Sequence, residues 1–303
     1  MGASPASARP GRLAVGIVGL GRVGSALAIG LQRAGHSIVA VSGVSEPTRR
    51  RAERLLPGVA VLPAEDVVRR AEAVVLAVPD DALIDLAETL GAQGCFRPGQ
   101  IVIHTSGRHG ADALPEASRV GAAVLALHPV MSFTGAPEDP DRLVGASWGI
   151  TTTDELRPAA EVLVVELGGE PVWVPEEARP VYHAALAWGA SYVVSLTSAA
   201  ADLLRGAGVE QPERILAPLL GASLDNALRY GDAGLTGPIA RGDAGTVAAH
   251  LRALRTAAPD VIPAYIALAR LTADRALQSG RLEPHSAAAL LDVLATPRSA
   301  TDQ

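Results

Sequence analysis

The sequence of 303 residues contains no lysine, because all 26 of its basic residues are arginines. This excludes a lysine general acid, a lysine Schiff base and a lysine phosphate ligand anywhere in the chain. Cys95 is the only cysteine. A single cysteine excludes an intrachain disulfide and a zinc site built on a cysteine cluster. We therefore expect a reducing, cytoplasmic compartment and predict no metal site.

Aromatic residues are also scarce, at 3%, and the net charge is −6 without a basic stripe. Both features disfavour nucleic acid and anionic membrane surfaces as partners. No apolar run reaches the length of about 20 residues that a membrane span needs. Residues 1–12 lack the apolar core of a signal peptide. Hydrophobic residues nevertheless make up 49% of the chain, enough for the cores of two domains.

The first half of the chain alternates short apolar runs with helical stretches, a pattern typical of a doubly wound, mainly parallel α/β sheet. The predicted strands are Leu13–Val18, Ser37–Ser42, Val59–Leu62, Ala73–Val78, Gln100–His104, Ala122–His128, Trp148–Thr152 and Pro171–Val174. The predicted helices between them are Val23–Ala34, Glu46–Leu56, Asp80 to about Ala92, Ala111–Arg119 and one from Asp154.

After Pro175 the pattern indicates helices alone. They are predicted over Arg179–Ala207, Gln211–Tyr230, Asp243–Ala257, Asp260–Ser279 and Pro284–Leu294. The sequence thus predicts an α/β domain at 13–175 and an all-α domain at 176–296, with tails at 1–12 and 297–303.

A glycine-rich segment follows the first predicted strand and opens the first helix: Gly19-Leu20-Gly21-Arg22-Val23-Gly24. In this context the first glycine permits a tight turn, the second admits a pyrophosphate and the third lets helix and strand pack closely. Free N–H groups and the helix dipole then face the phosphates. We predict that this loop binds a dinucleotide; the alternative is a glycine turn that binds nothing.

The end of the second strand discriminates between NAD and NADP. An NAD site usually has an acidic residue there, whereas this chain has Ser42, with Ser45 and the run Arg49, Arg50 and Arg51 following. Hydroxyl and guanidinium groups suit a 2′-phosphate. Glu46 is a possible ribose ligand, but we place it in the first turn of the next helix. The arginines also fit a solvated helix face. The pattern favours NADP.

Ligands of such sheets lie beyond the carboxyl ends of the strands. Three of these ends carry polar groups or turn residues, which we assign to the cofactor (Val78, Pro79, His104, Ser106), to catalysis (His128) and to the substrate (Ser132). Each of them also fits a packing or capping role.

The pattern resembles the Rossmann-like oxidoreductases related to ketopantoate reductase, pyrroline-5-carboxylate reductase and the β-hydroxyacid dehydrogenases. It is most similar to a bacterial branch whose helical C-terminal half is classed as a domain of unknown function. The segments that carry the resemblance are Gly19–Ser25, Ala77–Asp81, His104–Gly107, His128–Phe133, Tyr182–Ala185 and Thr236–Asp243.

This resemblance implies NADP binding, a C-terminal domain of the 6-phosphogluconate-dehydrogenase C-terminal-like type that forms a homodimer, and an active site between the domains. The better-known relatives have a catalytic lysine followed four residues later by an asparagine. Ala187 and Ser191 occupy these positions here. His183 lies one helical turn before Ala187, so we predict that His183 supplies the proton, with Tyr182 and Ser191 nearby. The alternative is a packed His183.

Two further residues are assigned to the substrate, Arg241 and Asn226. Arg241 would pair with a carboxylate, while Asp243 fits the N-cap of the following helix. The function expected is an NADP(H)-dependent reductase of a small carbonyl or imine compound. The alternatives are a non-catalytic NADP-binding regulatory module and a helical scaffold with a decayed cofactor domain.

Overall fold

The computed structural model describes residues 11–43 and 45–295. Eight strands form one sheet in the order β3-β2-β1-β4-β5-β6-β7-β8. Their bounds are β1 Ala14–Val18, β2 Ser37–Ser42, β3 Ala60–Val61, β4 Ala73–Leu76, β5 Ile101–His104, β6 Ala123–Pro129, β7 Ser147–Thr151 and β8 Glu170–Trp173. The order reverses between β1 and β4, which places a topological switch point at the glycine-rich segment.

The helices in chain order are α1 Arg22–Arg33, α2 Glu46–Leu55, α3 Ala64–Arg70, α4 Asp80–Ala92, α5 Pro115–Arg119, α6 Arg157–Glu166, α7 Arg179–Gly206, α8 Pro212–Tyr230, α9 Ala244–Ala257, α10 Ile262–Gln278 and α11 Pro284–Leu294. Short 3₁₀ turns precede α5, α6, α7, α9 and α10. The predicted fold class is confirmed, with a mainly parallel sheet followed by helices.

Three local predictions are corrected. The α3 helix is not among the helices that the sequence predicts, although Glu65 in its first turn and Arg70 in its last suit the helix dipole. The predicted helix over Ala111–Arg119 divides into a 3₁₀ turn and α5, because Pro115 begins a new helix. The β6 and β7 strands pair antiparallel, so the sheet is mixed at this side.

Both faces of the sheet are covered, as the apolar runs of the strands require. In β4, Val75 packs into one core with Leu27 of α1, whereas Val74 and Leu76 pack into the other. Successive side chains point to opposite faces of a sheet, so a continuous apolar strand serves two cores. The carboxyl ends of β1, β4, β5 and β6 consequently lie along one edge.

The chain forms two compact units, Met1–Ala190 and Ser191–Gln303, so the first turns of α7 belong to the sheet unit. The predicted boundary at residue 175 lies between β8 and α7. The helical unit has a core of its own, built from α9, α10, α11 and the segments beside them. Of the predicted tails, only residues 11, 12 are described; the rest lies outside the described residues.

One finding departs from the expectation that no apolar run is long enough for a membrane. The helical segment Glu176–Gly206 has 31 residues, and an 18-residue window in it has a mean hydropathy of 1.3. Only 6% of this window is buried. By length and composition alone, this helix could cross a membrane.

Candidate cofactor and active site

The three glycines of the loop differ in backbone conformation and in the space around them. Gly19 adopts a φ of +93°, a left-handed backbone conformation that residues other than glycine rarely adopt. A Cβ on Gly24 would overlap the carbonyl oxygen of Gly19, so the close packing of helix and strand at this position requires glycine. A Cβ on Gly21 would meet no atom within 4 Å. The space beside Gly21 is therefore open, as the predicted approach of a pyrophosphate requires.

The backbone of the loop is fixed at the end of β2. The amides of Gly19 and Leu20 both donate to the carbonyl oxygen of Ser42, at 3.0 and 3.2 Å. The amide of Leu20 is therefore committed within the protein. The α1 helix begins after Gly21, and its first N–H groups, starting with those of Arg22 and Val23, have no partner within the helix. Free amides at a helix N-terminus are suited to binding an anion.

The segment after β2 supports a first-turn position for Glu46. Ser45 caps α2, accepting a hydrogen bond from the amide of Thr48 at 3.3 Å. Glu46 is the first residue of the helix and pairs with Arg50 at 3.1 Å. A carboxylate is favourable at a helix N-terminus, so Glu46 has a structural reason to be there.

Two further arginines of α2 lie near the loop: Arg51, from the run that the sequence indicates, and Arg54, which the sequence analysis did not assign. Arg51 donates from Nη1 to the carbonyl oxygen of Leu20 at 2.9 Å. Together with Arg22 and Arg54 it lines a cavity of about 230 Å³, which α1, α2 and the segment 135–140, including Asp139, enclose. Arg49, which the sequence assigns to the cofactor, is exposed. The signal that identifies Arg51 and Arg54 is their spacing of three residues, which places them on one helix face.

The neighbouring strand ends border the same loop. A Cβ on Gly19 would overlap the carbonyl oxygen of Ala77, directly after β4, and would lie 3.1 Å from the side chain of Val78. Pro79 precedes the first residue of α4, and Asp80 begins that helix. Val78 and Pro79 thus follow the strand next to the glycine loop, as the sequence predicts.

Two polar residues at the end of β5 are occupied within the protein. His104 is completely buried, and its Nε2 lies 2.9 Å from the carbonyl oxygen of Gly110. Ser106 is 4% exposed and accepts a hydrogen bond from the amide of His109 at 3.0 Å. Both side chains therefore shape the loop after β5.

The remaining strand-end histidine lies in a cluster with the beginning of α7. His128 Nδ1 lies 2.9 Å from the hydroxyl oxygen of Tyr182. The rings of His128 and His183 are 5.9 Å apart in an edge-on arrangement. A Cβ on Gly107 would lie 2.6 Å from His183 Cδ2 and 2.9 Å from His128 Nε2. Both imidazoles therefore pack directly against Gly107, and a larger residue at this position would displace them.

Beneath this cluster lies Arg179, which sequence reasoning missed. Its side chain is completely buried. Nε donates to Thr151 Oγ1 at 2.7 Å, Nη1 to the carbonyl oxygen of Ser106 at 3.2 Å, and Nη2 to those of Ala126 and Gly149 at 3.0 Å each. The guanidinium connects the loop after β5 with the strands β6 and β7. A lone arginine at a helix start carries no sequence signal for such burial.

Burial favours a neutral imidazole at His128. Burial lowers the pKa of His128 to about 4, and the charge of Arg179 and the neighbouring His183 lower it further, while Asp80 opposes them. Burial also lowers the pKa of His104 to about 4. Burial raises the pKa of Tyr182, and Arg179 opposes this shift. His128 is therefore a neutral hydrogen-bonding group at neutral pH.

The other predicted substrate and catalytic residues are all exposed. Ser132 is exposed after β6 in the sheet unit. Ser191, Asn226 and Arg241 belong to the helical unit, where all three are exposed. Asp243 caps α9, accepting a hydrogen bond from the amide of Thr246 at 3.0 Å, so its capping role is confirmed.

Comparison with known families covers both halves of the chain. Residues 2–129 match a Rossmann-like domain, and residues 146–272 match a domain of unknown function, DUF2520. One curated relative, the glycerol-3-phosphate dehydrogenase [NAD(P)+] of Desulfitobacterium hafniense (strain Y51), is 30% identical over 132 residues. The match spans 40% of this chain and only 37% of the relative's length.

Solved structures share the whole fold at low identity. A proposed NADP oxidoreductase of Bacteroides fragilis is 19% identical, with a TM-score of 0.71 over 87% of this chain and 98% of its own. An imine reductase of Myxococcus stipitatus in complex with NAD⁺ is 18% identical, with a TM-score of 0.60 over 94% and 100%. The NADP-bound pyrroline carboxylate reductase of Plasmodium falciparum is 16% identical, with a TM-score of 0.55 over 92% and 100%.

These matches confirm the resemblance that the motifs indicate. The fold of the chain, a nucleotide-binding sheet followed by helices, recurs in proteins described as nicotinamide-dependent reductases. The first part of the chain is similar to a Rossmann-like domain, and most of the remainder is similar to the domain of unknown function DUF2520.

Proposed function

We propose that this protein is an NADP(H)-dependent oxidoreductase that reduces a small carbonyl or imine compound bearing a carboxylate. The observation that carries the proposal is the cluster of His128, His183 and Gly107 at the edge of the sheet where the glycine loop also lies. A cofactor loop and proton-handling side chains at neighbouring strand ends are the two parts that a reductase needs.

The preference for NADP rests on charge. No acidic side chain follows Ser42 at the end of β2, and Glu46 pairs with Arg50. Arg51 and Arg54 line the cavity beside the loop, and guanidinium groups suit a 2′-phosphate. We propose that these two arginines, with Ser42, Ser45 and Arg49 as predicted from the sequence, form the adenosine side of the site.

The bound nicotinamide would supply a hydride to the carbonyl or imine carbon. The residues of the chain would then orient the substrate and deliver a proton to its oxygen or nitrogen. We assign proton delivery to His183 and His128, with Ser191 as a further polar group. His128 acts from the neutral state, because the pKa of its imidazole is about 4.

Substrate binding is assigned to Ser132, Tyr182, Asn226 and Arg241. Arg241 is the candidate for the carboxylate, since a guanidinium pairs with it through two parallel hydrogen bonds. Arg241→Lys would keep the charge and lose this geometry. A sharply raised KM with little change in kcat is expected, and an unchanged KM would contradict the assignment.

The helical unit is proposed to form a homodimer. Large apolar side chains are exposed along α7 and α8: Val193, Val194, Leu196, Ile215, Leu219, Leu224 and Leu228. Charged residues such as Asp225 and Arg229 accompany them on α8. A helix with this mixture is suited to a protein interface in water, which favours a second copy of the chain over a membrane.

The experiment that tests the proposal follows the oxidation of NADPH with a panel of small keto acids and cyclic imines. Turnover with at least one compound is expected. His183→Ala should lower kcat by a factor of about 100 or more, as loss of a general acid does. The affinity for NADPH should stay unchanged. If His183→Ala keeps full turnover while NADPH binds, the role of His183 is wrong. NADPH binding without turnover of any compound would favour the non-catalytic alternative.

A further inference from the structure

We infer that Tyr182 is the source of the proton in this reaction, that His128 passes it to the substrate, and that the buried Arg179 stabilises the tyrosinate left behind. The inference rests on the proposed function, which assigns proton delivery to His183 and His128, and it names the group that supplies His128 with its proton. It assigns a catalytic role to His128 and positioning roles to Tyr182 and Arg179.

The first step is the geometry of the pair. The hydroxyl oxygen of Tyr182 lies 2.9 Å from Nδ1 of His128, and the two rings meet edge-on with an interplanar angle of 86°. In a neutral imidazole one nitrogen accepts and the other donates. If Nδ1 accepts the phenolic hydrogen, Nε2 carries the hydrogen that can be given away. Nε2 is the nitrogen of the His128 ring on the side of Gly107, because a Cβ on Gly107 would lie only 2.9 Å from it.

The second step is the charge behind the tyrosine. Arg179 is completely buried, and all four of its hydrogen bonds go to neutral oxygens. No carboxylate in the described part of the chain forms an ion pair with it. Its Cζ lies 5.6 Å from the centre of the Tyr182 ring. A buried cation without a counter-ion favours any nearby group that becomes negative.

Burial and the charged groups around the pair act in different directions. Burial raises the pKa of Tyr182, and the charge of Arg179 opposes this rise. Arg179 and His183 act on His128 against its protonation, and Asp80 acts more weakly in its favour. Glu176 is the acid whose charge reaches Arg179, without an ion pair. An imidazolium at His128 is therefore disfavoured, whereas a phenolate at Tyr182 has a cation beside it. The relay requires no imidazolium, because His128 receives a hydrogen at Nδ1 while it gives one up at Nε2.

The step balances as follows. The carbonyl or imine carbon accepts a hydride from reduced nicotinamide, and its oxygen or nitrogen takes the hydrogen from His128 Nε2. The Nε2–H bond breaks as the phenolic hydrogen of Tyr182 moves to Nδ1. The products are the alcohol or amine, oxidised nicotinamide, a neutral His128 with its hydrogen on Nδ1, and a tyrosinate beside Arg179. Solvent then returns one proton to the pair.

The chain offers a matched control. Tyr265 lies 3.0 Å from Nδ1 of His250, in a similar edge-on pair, but both residues belong to the helical unit and their contact is exposed. The chain has four tyrosines in all. Subtracting the alkaline absorbance titration of Tyr182→Phe from that of the wild type isolates the ionisation of Tyr182. The same subtraction with Tyr265→Phe gives the control.

The first measurement needs no substrate. Arg179→Met should move the ionisation of Tyr182 to higher pH and leave that of Tyr265 unchanged, whereas Arg179→Lys should restore most of the wild-type value. An unchanged ionisation of Tyr182 in a folded Arg179→Met protein overturns the role of Arg179. If Arg179→Met does not fold, the role of Arg179 is tested by comparing Arg179→Lys with the wild type. A smaller shift of the Tyr182 ionisation to higher pH is then expected.

The second measurement uses turnover. Tyr182→Phe and His128→Gln should each lower kcat by a factor of about 100 or more while the Kd for NADPH stays the same. The double variant should be only slightly slower than either single one, because both residues serve one proton transfer. Tyr265→Phe and His250→Gln should leave kcat unchanged. Full activity of Tyr182→Phe, or losses that multiply in the double variant, overturns the relay. Should no substrate be found, the proposed function fails and the titration still tests the Tyr182–Arg179 relation.

Discussion

The guanidinium of Arg51 donates a hydrogen bond from Nη1 to the carbonyl oxygen of Leu20, at 2.9 Å. This bond connects α2 with the glycine loop, which is otherwise held by the carbonyl of Ser42. Arg54, one turn further along α2, lines the same cavity as Arg51 and Arg22. The loop proposed for the pyrophosphate and the arginines proposed for the 2′-phosphate are thus connected through Arg51.

Arg54→Gln should weaken NADPH binding selectively. Arg51 also holds the loop, so Arg54 is the cleaner site for this test. Loss of a charge-assisted hydrogen bond costs about 1.5–3 kcal/mol, which corresponds to a Kd for NADPH raised by a factor of about 10 to 100. The Kd for NADH, which lacks the phosphate, should change less than about twofold. Both are measured by the fluorescence of the reduced nicotinamide on titration.

The control for Arg54 is Arg33→Gln. Arg33 is exposed at the end of α1 and pairs with Asp141 at 2.6 Å. An exposed ion pair contributes little to stability, so this variant should bind both cofactors as the wild type does. Equal losses of NADPH and NADH affinity in Arg54→Gln would show that Arg54 does not contact the 2′-phosphate.

Alanine substitutions at two glycines of the loop should separate cofactor binding from folding. Gly21 has a φ of −75° and open space around a Cβ, so Gly21→Ala should cost less than about 1 kcal/mol of stability. Its methyl group would occupy the space assigned to the pyrophosphate, and the Kd for NADPH should rise by a factor of about 10 or more. A Cβ on Gly24 would overlap the Gly19 carbonyl, so Gly24→Ala should cost about 1–3 kcal/mol.

Urea unfolding gives the two stabilities, and NADPH titration of the folded variants gives the affinities. The two alanines are matched to each other, since each adds one methyl group to the same loop. If Gly21→Ala bound NADPH as tightly as the wild type, the pyrophosphate would have to lie elsewhere.

The sequence predicts the elements of this fold well because the sheet is apolar throughout. Every strand agrees with its predicted bounds within two residues, since a run such as Ala73–Leu76 is apolar on both faces and ends at a turn signal. The α3 helix has only seven residues, too few for a clear helical period. The antiparallel pairing of β6 and β7 has no signal in either strand alone.

The site is less predictable than the fold. The glycine loop carries a spaced pattern whose physical meaning is local, and its geometry agrees with that meaning. Arg179 and the contact of Tyr182 with His128 depend on residues that are 28 to 73 positions apart in sequence. His104 and Ser106 have polar side chains at a strand end, yet burial commits both to the loop after β5. Burial of this kind follows from the packing of several elements and has no period in the sequence.

The free energy of unfolding should fall as the pH is lowered from about 6.5 to about 4, because His104 stays neutral in the folded protein over this range. The pKa of His104 is about 4 in the folded protein and about 6.5 when unfolded. Between these values the unfolded chain binds more protons, so the free energy of unfolding falls as the pH falls. The contribution of His104 is complete above about pH 6.5 and decreases by about 3 kcal/mol toward pH 4.

His104→Gln removes this titration while an amide can still donate to the carbonyl of Gly110. Urea unfolding is measured at several pH values. Between about pH 7 and pH 4 the free energy of unfolding should decrease by about 3 kcal/mol less in the variant than in the wild type. His250→Gln, which replaces an exposed imidazole, should keep the wild-type dependence. Identical pH profiles of His104→Gln and the wild type would mean that His104 is not held neutral by burial.

The apolar residues of α8 should determine the oligomeric state. Leu224 and Leu228 are 55% and 79% exposed and lie one turn apart on the helix. A stable homodimer needs to bury on the order of 800 Å² per copy, and an interface of that size tolerates no carboxylate at its apolar centre. We expect the wild type to sediment as a dimer and Leu224→Glu/Leu228→Glu to sediment as a monomer. Val144→Glu changes a 70% exposed valine of the sheet unit and should stay dimeric. A wild type that is monomeric at micromolar concentration would contradict the dimer, and sedimentation of the wild type with lipid vesicles would assign the apolar face of α7 to a membrane instead.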